Sequence, residues 1–130
     1  MYKASGSEIG VPLAIFVNEN SASASEILAA AVQDNGVGKV VGTKTYGKGI
    51  VQTTSMLNAN GGWLKITTDA YYTPQGRNIH GIGVTPDIQI DLADDLAGMA
   101  VTEIEQDEDA QLWAALDYVR AVADGTWEEE

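Results

Sequence analysis

An apolar run, Val11-Pro12-Leu13-Ala14-Ile15-Phe16-Val17, passes through Asn18-Glu19-Asn20 directly into Ser21-Ala22-Ser23-Ala24-Ser25-Glu26-Ile27. After that polar turn, Ala24, Ile27, Leu28, Ala31 and Val32 recur at helical spacing. The pattern predicts a strand, a tight turn and a helix in immediate succession. Apolar side chains on both alternating faces suit a central strand of a parallel sheet, covered on both sides. Pro12 lies near the strand start, where a missing ladder donor is tolerated. Asn35-Gly36 supplies a left-handed stop after Asp34, and residues 39–42 follow as a second strand. Such a strand–helix–strand unit should have a right-handed crossover, and the chain reads as one α/β domain with a parallel part and an antiparallel hairpin. In that class a serine on the turn before the helix is a position from which a nucleophile is exposed.

The remaining pattern is mostly β. Residues 43–49 read as a loop by their glycines, and residues 50–57 as a third strand in half-buried alternation. Asn58-Ala59-Asn60-Gly61-Gly62 predicts a hairpin turn. The return strand, 63–72, sets Leu64, Ile66, Thr68, Ala70 and Tyr72 on one face. Thr73-Pro74-Gln75-Gly76 fits a type I turn, 77–85 a loop, and 86–92 a last short edge strand. Residues 93–108 turn acidic and weakly patterned, a linker with at most a short helical piece. Leu112, Trp113, Leu116, Val119 and Ala123 return to helical spacing, with Asp107 or Asp109 as cap. The expected organisation is one domain: an α/β core over 1–92, a linker over 93–108 and a docked amphipathic helix over 109–124. Residues 125–130 are expected to fray.

Composition narrows the function. A chain of 130 residues, 45% of them apolar, has room for one modest core. Seven basic against 19 acidic side chains give a net charge of −12, which argues against nucleic acid and anionic membrane as partners. Lys39, Lys44, Lys48 and Lys65 are interspersed among small and apolar residues and form no basic cluster. The absence of cysteine excludes disulfides and thiolate metal sites, and a single histidine, His80, makes a metal site a poor expectation. No cofactor is expected. No apolar run approaches the roughly 20 residues of a membrane helix. Residues 1–10 are polar, unlike a signal peptide, and read as a start inside a larger protein.

Two residues invite chemistry. Ser23-x-x-Glu26 fits a capping box, the structural reading of this serine. The same position lies among the unpaired N–H groups and positive end of a helix, which stabilise an oxyanion. Ser21 and Ser25 compete for the role, and spacing does not choose among the three. Lys48 stands in Tyr46-Gly47-Lys48-Gly49, where a surface lysine is the ordinary case. A lysine serving as a base must be neutral, and bringing an ordinary lysine from ~10.4 to ~8 by burial costs roughly 3 kcal/mol. Flanking glycines fit a backbone packed so tightly that the side chain points into a cleft. A Ser–His–Asp triad would instead need His80 beside Ser23, with Asp34 or Asp69 behind it. A phosphate loop is a poor expectation, because the glycines lack Walker spacing and precede a strand.

Taken together, Asn18 to Ile27, Gln33-Asp34, Gly42-Thr43-Lys44-Thr45-Tyr46-Gly47-Lys48-Gly49-Ile50-Val51-Gln52, Lys65-Ile66-Thr67-Thr68, Tyr71-Tyr72-Thr73-Pro74-Gln75-Gly76-Arg77 and Gly83-Val84-Thr85-Pro86-Asp87-Ile88 closely resemble the C-terminal processing peptidases, or tail-specific proteases. The resemblance spans most of residues 12–91. It implies a ClpP/crotonase-like α/β core and a serine endopeptidase acting near protein C-termini through an acyl-enzyme. It places the nucleophile on Ser23, the general base on Lys48, the glutamine that steadies that lysine on Gln52, and an oxyanion donor on the backbone N–H of Ala24. Asp34 matches a family aspartate taken as a structural helix-end group. The implied partners are protein or peptide substrates with apolar C-terminal tails, with room for a homo-oligomer. The implied location is extracytoplasmic, in the bacterial periplasm or cell envelope, or in the chloroplast lumen. Full members also carry a PDZ domain and an upstream Asn-Pro-Gly-Gly-like turn giving a second oxyanion donor. This chain has neither, so little activity is expected of it alone. Two rival readings are a non-catalytic binding module on the same fold and an acyl-CoA enzyme of the crotonase type. The second fits poorly with a charge of −12.

Overall fold

A computed structural model describes residue 6 and residues 10–57 and 61–128. Its order is β1 (Ala14–Val17), α1 (Ala24–Asn35), β2 (Lys39–Gly42), β3 (Ile50–Met56), β4 (Trp63–Ala70), β5 (Ile88–Gln89) and α2 (Ala110–Ala123), with a 3-10 turn at Val101–Glu103 before α2. β1, β2 and β5 form a parallel sheet in that order, with Ile15 opposite Val40 and Phe16 opposite Val41. β3 and β4 form a separate antiparallel ribbon. The fold is mixed α/β, with the expected strand–helix–strand unit, hairpin strands and C-terminal helix.

α1 begins where the apolar spacing begins and ends at Gly36, whose φ of 64° is the left-handed stop that Asn35-Gly36 foretells. Its Ala29 and Ala30 pack with Val17, Val40, Ile79 and Val84, and Ile15 lies against this cluster. Alternation therefore turns Ile15, Val17 and Val40 toward α1 and Phe16 and Val41 the other way. Both helices pack against β1 and β2. Asp109 caps α2 by accepting from the Leu112 N–H at 2.9 Å, and Tyr118 stacks edge-on with Trp127 at 4.8 Å.

Three expectations are corrected. Among the described residues β1 lies at the edge of the sheet and not at its centre, because β2 sits between β1 and β5, and Phe16 is 44% exposed. β3 and β4 are not half-buried: neither strand buries a residue, and all of β4 is exposed. The alternation is present, but among the described residues the ribbon packs closely against no other element. The return strand also ends at Ala70, and Tyr72 instead makes an isolated bridge with Asn78. The turn after it closes as predicted, Gly76 N–H donating to Thr73 O at 2.8 Å. Most of the Asn58–Gly62 turn lies outside the described residues.

Candidate active site

Ser23 is the N-cap of α1 and holds φ 57°, ψ −112°, the only positive φ of a non-glycine among the described residues. A side chain in that region costs of order 1–3 kcal/mol, so the surrounding bonds must hold it. Two do so: the Ser23 N–H donates to Glu26 Oε2 at 2.9 Å, and the Ser23 carbonyl accepts from the Ile27 N–H at 3.0 Å. Glu26 thus reaches back as a capping box expects, but the serine hydroxyl makes no cap bond. It faces the Tyr71 hydroxyl instead, 3.4 Å away.

Glu26 does much more than cap. Its side chain is fully buried. Oε2 accepts from the N–H of Ser23 and also from the N–H of Lys48, at 2.8 Å. Oε1 accepts from Gly47 N–H at 2.7 Å and from the Thr45 hydroxyl at 2.5 Å. Thr45 Oγ1 in turn accepts from Val84 N–H at 2.7 Å. Burial alone would raise the Glu26 pKa, but the Thr45 hydroxyl and the N–H groups of Lys48, Gly47 and Ser23 outweigh it and hold the carboxyl below its ordinary value. The result is a buried carboxylate with four donors, one oxygen of which ties the main chain of Ser23 to that of Lys48. The capping-box spacing signalled only one of these four bonds.

The glycines beside Lys48 are there for close approach. A Cβ on Gly49 would lie 2.6 Å from His80 N, and one on Gly47 would lie 3.0 Å from Gly83 N. The backbone is packed as expected, yet the Lys48 side chain is exposed and not sunk in a cleft. Among the described residues, no hydrogen bond joins the Lys48 amine to the Ser23 hydroxyl or to Gln52. Gln52 is exposed on β3, at the point where the pairing with β4 slips between Val51–Asp69 and Gln52–Thr67. The structure therefore joins residues 23 and 48 through their backbones and leaves Gln52 on the open ribbon. Ala24 is the first residue of α1, so its N–H has no acceptor within the helix.

The competitors fare differently. Ser21 Oγ accepts from Asn18 N–H at 3.0 Å and belongs to the turn that ends β1, while Ser25 is exposed on the first turn of α1. His80 is exposed, and its hydrogen bond is made by its backbone N–H to Asn78 Oδ1. Asp34 is engaged elsewhere: it accepts from Gln75 N–H at 2.9 Å and pairs with Arg77, its side chain only 2% exposed. Burial raises its pKa too, but Thr73, Gln75 and Arg77 bring it below the ordinary carboxylate range. No cluster of three or more His, Asp or Glu among the described residues is arranged to hold a metal ion.

Beside Ser23 lies a cavity of about 340 Å3, walled by Ile27, Ala30 and Ala31 of α1 and by Tyr71, Pro74 and Ile79 of the segment facing it. Asp34 and Arg77 fasten that segment to the end of α1, and so shape the cavity. Tyr71 was singled out by nothing in the sequence beyond its place in a matching motif.

The sequence matches the pattern of peptidase family S41 over residues 1–90. It is 50% identical over 80 residues to a carboxy-terminal-processing protease of Bartonella bacilliformis, an alignment covering 62% of this chain and 18% of that protein. It is 42% identical over 104 residues to the chloroplastic C-terminal processing peptidase of Tetradesmus obliquus, covering 76% of this chain and 22% of the relative. Among solved structures, it superposes on a photosystem II D1 C-terminal processing protease with TM-score 0.60 and 44% identity, over 63% of this chain and 21% of that one. The chain spans about a fifth of the length of these relatives.

Proposed function

Because the chain belongs to peptidase family S41, we propose that it is the core of a serine endopeptidase with the ClpP/crotonase-like fold. Ser23 is the nucleophile, Lys48 the general base, Gln52 the group that steadies the lysine, and the Ala24 N–H an oxyanion donor. The observation that carries this reading is the shared hold of Glu26 Oε2 on the N–H groups of Ser23 and Lys48. With both backbones fixed, the reading requires the exposed Lys48 side chain to turn toward the hydroxyl, and rotamer changes of exposed side chains take picoseconds to nanoseconds.

The chemistry is acyl transfer. Ser23 Oγ bonds to the peptide carbonyl carbon as its proton passes to the Lys48 amine, a step open only to the uncharged form of that amine. The oxyanion rests on N–H donors at the start of α1, where the helix dipole favours negative charge. Collapse breaks the C–N bond, and the leaving amine takes the proton from Lys48. Water, deprotonated by the same lysine, then hydrolyses the ester. Glutamine suits position 52, since it accepts from an amine without adding a charge that would favour the ammonium.

The apolar cavity beside Ser23 suits a polypeptide substrate with an apolar side chain. The family resemblance supports a place outside the bacterial cytoplasm or in the chloroplast lumen as part of this reading. The alternative is a non-catalytic binding module on the same fold, favoured by the absence of a bond between the Lys48 amine and Ser23. Fusing the chain to the matching upstream part of the Tetradesmus obliquus relative separates the two. Cleavage of an unstructured protein with an apolar tail, abolished by Ser23→Ala and by Lys48→Ala, supports the peptidase. A folded fusion that binds this protein and never cleaves it supports the binding module.

A further inference from the structure

One side chain, Tyr71, touches both Ser23 and the apolar cavity. Its hydroxyl stands 3.4 Å from Ser23 Oγ, and its ring lines the cavity with Ile27, Ala30, Ala31, Pro74 and Ile79. Its N–H donates to Gly49 O at 2.8 Å, which ties it to the residue after Lys48. Among the described residues no other hydrogen bond reaches the Ser23 hydroxyl.

The direction of that contact is open, and both directions have the same consequence. A serine proton given to the phenol oxygen is not available to the Lys48 amine. A phenol proton given to Ser23 Oγ engages one of its two lone pairs and draws electron density from the atom that must attack. We propose that Tyr71 is a positioning residue that holds Ser23 in a resting orientation, and that an apolar substrate side chain entering the cavity releases it. The contact is already long for an O–H···O bond, so a sub-ångström displacement of the ring breaks it. Whatever enters the cavity must pack against that ring, because Tyr71 is one of its walls. Cavity occupancy and nucleophile activation are therefore linked through one side chain. The proposal rests on Ser23 being the nucleophile.

The test compares two fluorophosphonates, carrying methyl or isobutyl on phosphorus, reacting with the chain fused to the matching upstream part of its Tetradesmus obliquus relative. In each reaction the Ser23 Oγ–phosphorus bond forms, fluoride leaves and the hydroxyl proton goes to the base. Wild type should react faster with the isobutyl probe. Tyr71→Phe, which keeps the ring and removes the restraint, should speed the methyl probe about two- to tenfold, the worth of one hydrogen bond, and narrow the isobutyl advantage. Tyr71→Ala, which removes the wall, should abolish that advantage. If Tyr71→Ala does not fold, the Tyr71→Phe rates decide alone. A methyl-probe rate in Tyr71→Phe equal to or below wild type overturns the proposal, as does an equal shift for both probes, which a purely structural role would give. Labelling of Ser23 in none of the proteins removes the nucleophile itself, and the proposal falls with it.

Discussion

The nest around Glu26 and the β3–β4 ribbon are opposite solutions to holding a backbone. In the nest, one fully buried carboxylate takes four donors from two stretches of chain, and Thr45 extends the network to Val84. In the ribbon, among the described residues, the strands pack closely only with each other, and every residue of β4 is exposed. Ser23 and Lys48 belong to the first region, and Gln52 belongs to the second. Two of the three proposed catalytic groups therefore have their main chains fixed from below. The third depends on a ribbon that no other described element steadies.

Substitutions should expose this contrast. Glu26→Gln replaces an acceptor with an NH2 facing N–H donors and leaves buried groups unpaired. It should cost about 3 kcal/mol or more by chemical denaturation, the largest loss expected here. Gly49→Ala forces a Cβ to 2.6 Å from the His80 backbone nitrogen, and should cost about 2 kcal/mol by the same measurement. Asp34→Asn weakens the hold on Arg77 and Gln75 and should cost about 1–2 kcal/mol, with faster amide exchange at residues 75–79. On the ribbon, Thr54→Ala should change stability by no more than about 0.5 kcal/mol. A ribbon substitution as costly as Glu26→Gln would erase the distinction between the regions.

Acid provides a second probe. Glu26 and Asp34 both titrate below their ordinary values in the fold. Each therefore contributes stability that is fully present above the unfolded carboxyl pKa of about 4 and is lost as pH falls through the lower folded value. The melting temperature should be level from about pH 7 to 5 and fall steeply below about 4. In Glu26→Gln that fall should be shallower.

Much of this was legible in the chain. The helical spacing from Ala24, the Asn35-Gly36 stop and the short strand at Lys39–Gly42 are local signals, set by burial period and by the φ that glycine permits. What β3 and β4 pack against is not local: their alternation reports a face fit for burial and cannot say whether anything covers it. The site divides in the same way. Ser23-x-x-Glu26 announced a helix start, and one of the four bonds to Glu26 is the one a capping box makes. The other three come from residues 45, 47 and 48, and no periodicity encodes contacts about 20 residues apart. Tyr71 is 48 residues from Ser23, and only the fold brings the two hydroxyls together.

The central claim, that Ser23 is a nucleophile served by Lys48, is tested most directly by locating a fluorophosphonate adduct by mass spectrometry in wild type and in Lys48→Ala, at neutral pH. The account predicts an adduct on Ser23 whose formation slows by about 100-fold or more without the lysine. An adduct forming equally fast in both proteins, or settling on Ser21 or Ser25, would contradict it.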